Sequence, residues 1–150
     1  MHHLIFSLSV VETEYKSMKN SLKNTTAYNH KLNTMNNTTY SLRRKVIDII
    51  YEAKKLHSIP RIEVRIVSGG NENNCGYAYL GQNIIHINEK FININPLQLK
   101  HLVLHELIHA ITGFNHDDNC VLMNPYLPKV INEKLIEERF IYYIKTYSKK

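Results

Sequence analysis

HELIHAITGFNHDDNCVLMNP, residues 105–125, is the stretch on which the reading of this 150-residue chain turns. It holds His105, Glu106, His109 and His116, then two adjacent aspartates and a Met-Asn-Pro. Asn95 followed by Pro96 marks a helix start, because proline at the first helical position loses no needed donor. The helix is expected to run through LQLKHLVLHELIHAIT and to stop at Gly113, the usual residue for a left-handed terminus. With about 100° of rotation per residue, Gln98, His101, His109 and Thr112 all lie within about 40° of His105. Leucine, valine, isoleucine and alanine cover nearly all the rest, with only Lys100 and Glu106 as charges off the polar stripe. A helix apolar around most of its surface is a buried one. Its stripe of histidines therefore needs a ligand, a cleft or a hydrogen-bond network.

Histidines one turn apart present imidazole nitrogens on the same face, close enough to hold one Zn²⁺ at about 2.0–2.1 Å per bond. Glu106, about 100° round from His105, cannot share that direction as a ligand but can reach a water on the metal. Metal coordination acidifies the water, and the carboxylate takes its proton as general base. The His-Glu-x-x-His spacing is that of zinc metallopeptidases. A catalytic zinc usually takes three protein ligands, and two residues compete for the third place. One is His116, three residues past Gly113; the other is Glu133 on the last helix.

The whole stretch resembles the metzincin clan, whose pattern is His-Glu-x-x-His-x-x-Gly-x-x-His followed by a Met-containing turn. Gly113-Phe114-Asn115-His116 matches the second half, and Cys120-Val121-Leu122-Met123-Asn124-Pro125 is similar to the Met-turn. The resemblance implies His105, His109 and His116 as the metal ligands, Zn²⁺ as cofactor, Met123 beneath the site and Glu106 as the catalytic base. It also implies a substrate-binding strand beside the cleft, Tyr77 to Leu80 or Ile84 to Ile87, and a hydroxyl from Tyr126 for a developing oxyanion. One departure stands out: Ala110-Ile111-Thr112 puts three residues before the glycine where the clan has two, leaving Asn115 at the nominal ligand position. Asp117 or Asp118 is the alternative oxygen ligand. A gluzincin-like reading, with Glu133 in Ile131-Asn132-Glu133 as third ligand, leaves Gly113, His116 and Met123 unexplained. Cys75 in Asn-Cys-Gly is read as a buried or free thiol rather than a cover for the metal.

Outward from this stretch, the chain reads as an α+β domain over residues 40–150, with a small twisted sheet packed against the metal-binding helix, the Met-turn and a C-terminal helix. Ser41 is expected to cap a first helix with Leu42, Val46, Ile49, Ile50, Ala53 and Leu56 inward, ended by Pro60. RIEVRIV alternates as a half-buried strand, SGGNENNCG is a loop, and two short strands follow, Tyr77 to Leu80 and Asn83 to Asn88. The last helix carries Val130, Ile131, Leu135, Ile136, Phe140, Ile141 and Ile144 as its inward stripe. Residues 1–39 are expected to form a flexible polar arm, since the Asn/Thr/Lys-rich 12–39 segment offers little apolar surface to offset its ordering entropy.

Hydrophobic residues at 43% and charged residues at 21% exclude a disordered or fibrous chain. The net charge of +6 is scattered, and no aromatic-basic motif accompanies it, so a nucleic-acid partner lacks motif support. A DNA-associated metalloprotease and a non-catalytic metal-binding module are the other readings; Glu106 argues against the latter, because a structural zinc needs four ligands and no base. The apolar run Leu4 to Val11 is too short to span a membrane and lacks a cleavage site, so no membrane partner is expected. Two cysteines cannot build a disulfide framework. The expectation is a monomeric intracellular peptidase acting on a peptide or protein, in a host cytoplasm if the Asn/Ile/Lys richness reflects a viral source.

Overall fold

The computed structural model describes residues 4–5, 27–68, 75–91 and 93–148. Its helices are α1 (Ala27–Leu56), α2 (Pro96–Thr112) and α3 (Glu133–Tyr147). The strands are β1 (Leu4–Ile5), β2 (Glu63–Ser68), β3 (Gly76–Ala78) and β4 (Ile84–Asn88), with a 3-10 turn at Glu89–Phe91. The sheet order is β1-β2-β4-β3; β2 and β4 run parallel, while β1 and β3 pair antiparallel at the two edges. The fold is thus α+β, with three helices and a small mixed sheet among the described residues.

Helix α2 begins and ends where its sequence dictates. The Asn95 side chain accepts from the Leu97 N–H at 2.9 Å, Pro96 follows, and Gly113 closes the helix in the left-handed conformation at φ 73°. The last carbonyls are not left bare. His109 O accepts from the N–H groups of both Gly113 and Gly81, and Ala110 O accepts from Asn83. The β3–β4 turn therefore caps the helix and fixes the sheet against its C-terminal end.

Every residue of α2 from His101 to Thr112 is buried. Leu104, Leu107 and Ile108 are fully enclosed, and burial of each contributes roughly 1.5–3 kcal/mol. The helix touches α1, β3 and β4 as well as α3. Lys100, off the polar stripe, donates to Glu133 at 2.8 Å and also to Glu137, tying α2 to α3.

Four expectations need correction. The first helix starts at Ala27, not at Ser41, so residues 27–39 of the expected arm are helical. Asn and Thr are weak helix formers but cost only tenths of a kcal/mol each once a docked helix is there to propagate from. Docking is provided by Leu42, Val46, Ile50 and Ala53, and by buried Arg43, whose Nη1 donates to Val64 O at 3.0 Å. On α3 the stripe is Ile136, Phe140, Tyr143 and Ile144; Leu135 and Ile141 are half-buried. Val130 is 88% exposed, because it precedes the Asn132 cap and never joins the helical face. Finally, β4 is paired on both sides, which removes Ile84 to Ile87 as an edge for substrate and leaves β3. The rest of the expected arm, residues 1–3 and 6–26, lies outside the described residues, as does most of the loop, 69–74.

Two glycines give a clean contrast. A Cβ at Gly76 would sit 2.7 Å from His86 O, a backbone atom that cannot swing away, and 3.5 Å from the Glu106 Cγ. At Gly113 the nearest atom would be Gly81 N at 3.9 Å, so the cost there is the positive φ alone. Gly113→Ala is expected to cost about 1 kcal/mol in urea unfolding, and Gly76→Ala distinctly more. Equal midpoints for the two variants would contradict the close approach of β3 to β4 and α2.

Candidate metal centre

His105 and His109 are held by the chain that follows the helix. His105 Nδ1 meets Leu122 O at 2.7 Å, and His109 Nδ1 meets Phe114 O at 2.6 Å. A carbonyl oxygen only accepts, so in each ring the proton must be on Nδ1. A neutral imidazole has a single N–H, which leaves both Nε2 atoms as bare lone pairs. Those two lone pairs face each other at 3.0 Å. With both protons on Nδ1, the two Nε2 atoms are acceptors that make no hydrogen bond with each other, and a shared donor or a cation would satisfy them.

A shared proton is a poor candidate. Burial pushes His105 down to about 3, against the opposing pull of its bond to Leu122 O, and the neighbouring imidazoles depress it further. Burial lowers His109 as well, partly offset by Phe114 O.

His116 completes the group. Its ring centroid lies 5.2 Å from that of His105 and 4.9 Å from that of His109. The three histidines offer ligand atoms all within 4.8 Å of one another and could hold a metal ion. All three residues between His109 and Gly113 are helical, and the Gly113 N–H bonds to His109 O four residues back. His116 itself is exposed, but its loop is anchored on both sides. Phe114 packs against Tyr143 and Tyr147 of α3 at 4.8 and 4.7 Å between centroids. Asp117 Oδ2 accepts from the Tyr143 hydroxyl at 3.1 Å, and Asp117 N–H donates to Met123 O.

Three of the competing groups are engaged elsewhere. Asn115 Oδ1 accepts from the His116 N–H, Asp117 is bonded to Asn119 N–H and Tyr143, and Glu133 is paired with Lys100. Neither Asp118 nor Glu133 belongs to the histidine group. Met123 is fully buried in the turn, whose closing bond runs from Asn124 N–H to Cys120 O.

Glu106 sits beside this group, 4% exposed, with no hydrogen-bond partner for Oε2 among the described residues. Burial alone pushes its carboxyl up to about 8. It borders a cavity of about 310 Å³ walled by Cys75 and Gly76 on one side, by His101 and His105 of α2, and by Pro125 and Tyr126 on the other. Tyr126 is 81% exposed, at the mouth. The Cys75 thiol is raised by burial and then by Glu106, which makes it a protonated thiol at neutral pH.

Three parts of the site lie outside the sequence expectations: Phe114 O, Leu122 O and Tyr143. Only Tyr143 left a signal, its place between Phe140 and Ile144 on the inward face of α3. Compared with models of known protein families, with curated proteins and with solved structures, the chain matches none.

The two buried groups make the metal-free protein sensitive to pH in opposite senses. Glu106 titrates near 8 folded against an ordinary 4.5, so between those values the unfolded chain has released a proton that the folded chain keeps. Its contribution to stability is lost as pH rises, by up to about 1.4 kcal/mol per unit. His105, at about 3 folded against 6.5, loses stability as pH falls below 6.5. In the presence of a chelator, the urea midpoint is therefore expected to drop between about pH 6.5 and pH 8. Glu106→Gln should remove most of that drop. A variant that keeps the full pH dependence would show that Glu106 is not its source.

Proposed function

We propose that this chain is a zinc-dependent peptidase of metzincin-like type, with His105, His109 and His116 as metal ligands and Glu106 as general base. The observation that carries the reading is the partnerless, buried Oε2 of Glu106 beside three converging imidazoles at the wall of an open cavity. Neutral imidazoles suit zinc, and three protein ligands with an open position are the arrangement of catalytic rather than structural zinc. The 3.0 Å between the Nε2 atoms of His105 and His109 is a few tenths short of the ~3.4 Å implied by two ~2.1 Å bonds at a tetrahedral angle. When bound, the ion supplies Lewis acidity and positive charge. That charge draws Glu106 below its metal-free value, so that the carboxylate is ready to accept a proton at neutral pH.

In this reading the chain's own groups divide the work. Leu122 O and Phe114 O hold the tautomer and orientation of the two buried imidazoles, raising their basicity as ligands. Glu106 takes the proton from the attacking water at Oε2 and hands it to the leaving amine. Strand β3, at the sheet edge and with Gly76 against Glu106, offers backbone groups for an extended peptide. Tyr126 at the mouth supplies a hydroxyl for charge developing on the carbonyl oxygen.

Metal analysis combined with cleavage of an unfolded protein substrate tests the assignment. About one zinc per chain is expected, strongly reduced by His105→Ala, His109→Ala and His116→Ala and retained by Glu133→Ala. Glu106→Gln should keep the metal and lose roughly 10²–10⁴-fold in rate. A wild-type chain that binds no metal, or a Glu106→Gln variant that hydrolyses normally, overturns the proposal.

A further inference from the structure

The three imidazoles are not held alike. His105 and His109 are buried, each with a carbonyl oxygen on Nδ1, whereas the exposed His116 ring has no such partner among the described residues. Its place is set by the residues that flank it, and both flanks lead to one side chain. Before it, the ring of Phe114 packs against that of Tyr143, with centroids 4.8 Å apart. After it, Asp117 Oδ2 accepts from the Tyr143 hydroxyl at 3.1 Å. The other bonds of Asp117 stay within its own loop: its N–H donates to Met123 O, its carbonyl accepts from Cys120 N–H, and Oδ1 accepts from Asn119 N–H. Among the described residues, the Tyr143 hydroxyl is therefore what ties Asp117 to helix α3. Tyr143 itself is 4% exposed, with its ring also stacked on Tyr147, so it is a fixed point.

We propose that Tyr143 is a positioning residue for the metal centre: through Asp117 its hydroxyl keeps His116 directed at His105 and His109, so that the third ligand depends on α3 while the first two do not. The role rests on these three histidines being the zinc ligands, but not on peptide cleavage. Its physical basis is ordering entropy. A histidine on an exposed loop gives up backbone and side-chain freedom when it joins a metal, and that cost is subtracted from the affinity. A bond that holds the loop before the ion arrives removes part of the cost in advance. Partners that orient a ligand in this way typically change metal affinity by about 10–100-fold. The bond is of the stronger kind, since a phenol donating to a carboxylate is charge-assisted. Without the hydroxyl, Phe114 still tethers the chain before His116. Asp117 then keeps only bonds within its own loop, and that side can turn as a unit.

Zinc affinity, measured by competition with a chromophoric chelator, tests this in four forms of the chain: wild type, Tyr143→Phe, His116→Ala and the double variant. Tyr143→Phe keeps the ring against Phe114 and removes only the hydroxyl. It should weaken zinc binding roughly ten- to hundredfold when His116 is present. On top of His116→Ala it should change nothing, because the tie acts through that ligand. With cobalt in place of zinc, the visible absorption of Tyr143→Phe should fall toward that of His116→Ala. Asp117→Ala should reproduce the loss of Tyr143→Phe. Asp117→Asn, whose amide can still bond to both the Asn119 N–H and the tyrosine hydroxyl, should restore most of the affinity. A Tyr143→Phe chain that binds zinc as tightly as wild type overturns the proposal. So does an equal loss with and without His116, which would make Tyr143 a packing residue only. Should Tyr143→Phe fail to fold, the contrast between Asp117→Ala and Asp117→Asn decides the matter. A wild type that shows the expected coupling but cleaves nothing keeps the positioning role and removes the peptidase reading. Zinc-dependent cleavage indifferent to Tyr143→Phe and Asp117→Ala does the reverse.

Discussion

Two backbone carbonyls, Phe114 O and Leu122 O, impose the constraint from which the site follows. Each draws the only proton of a buried imidazole onto Nδ1, and the two bare Nε2 atoms are left 3.0 Å apart in a place too dry to charge them. Neutral lone pairs so close are unfavourable in a protein that has no cation to put between them. The chain after the helix thus fixes the tautomers of both rings, and the lone pairs it leaves could, with His116, hold a metal ion. His101, bonded to Val121 O, extends the pattern by one more turn, so that successive carbonyls of one segment hold successive histidines of α2.

That arrangement requires α2 to be in the middle of the molecule. The sheet and α1 cover part of its apolar circumference, α3 covers another part, and the β3–β4 turn caps its last carbonyls. Even the charge on the side away from the stripe is neutralised locally, Lys100 by Glu133 and Glu137. Burial drives the ordinary positions of the helix and, at the same time, makes Glu106 and the histidines chemically unusual. The carboxyl pushed up and the imidazoles pushed down share one cause, the removal of water.

Much of this was legible in the sequence because it depends on helical period and end signals alone. Asn95, Pro96 and Gly113 mark α2 to the residue, and the angular positions of His101, His105 and His109 follow from 100° per residue. What was not legible depends on tertiary contacts. The Ala27–Thr39 turns of α1 lack a strong apolar stripe, and they continue a helix whose docking comes later in the chain. Val130 reads as apolar and inward only if α3 starts before it, and the Asn132 cap starts the helix after it. The carbonyl partners of the histidines carry no side-chain signature, so no pattern of residue types could have announced them.

The place of His116 beside His105 and His109 depends on how the chain leaves α2. One more helical position rotates the exit of the chain by about 100°, which by itself would swing the following histidine away from its partners. The loop is not free to follow that rotation. Phe114 is packed against Tyr143 and Tyr147, its carbonyl is bonded to His109, and Asp117 is tied to Tyr143 and to the backbone of Met123. His116 lies between these two anchors and is directed by them more than by its distance from the glycine. Two helices set its position, α2 through Phe114 O and α3 through its tyrosines. The convergence of His116 on His105 and His109 is therefore a consequence of where the loop is pinned.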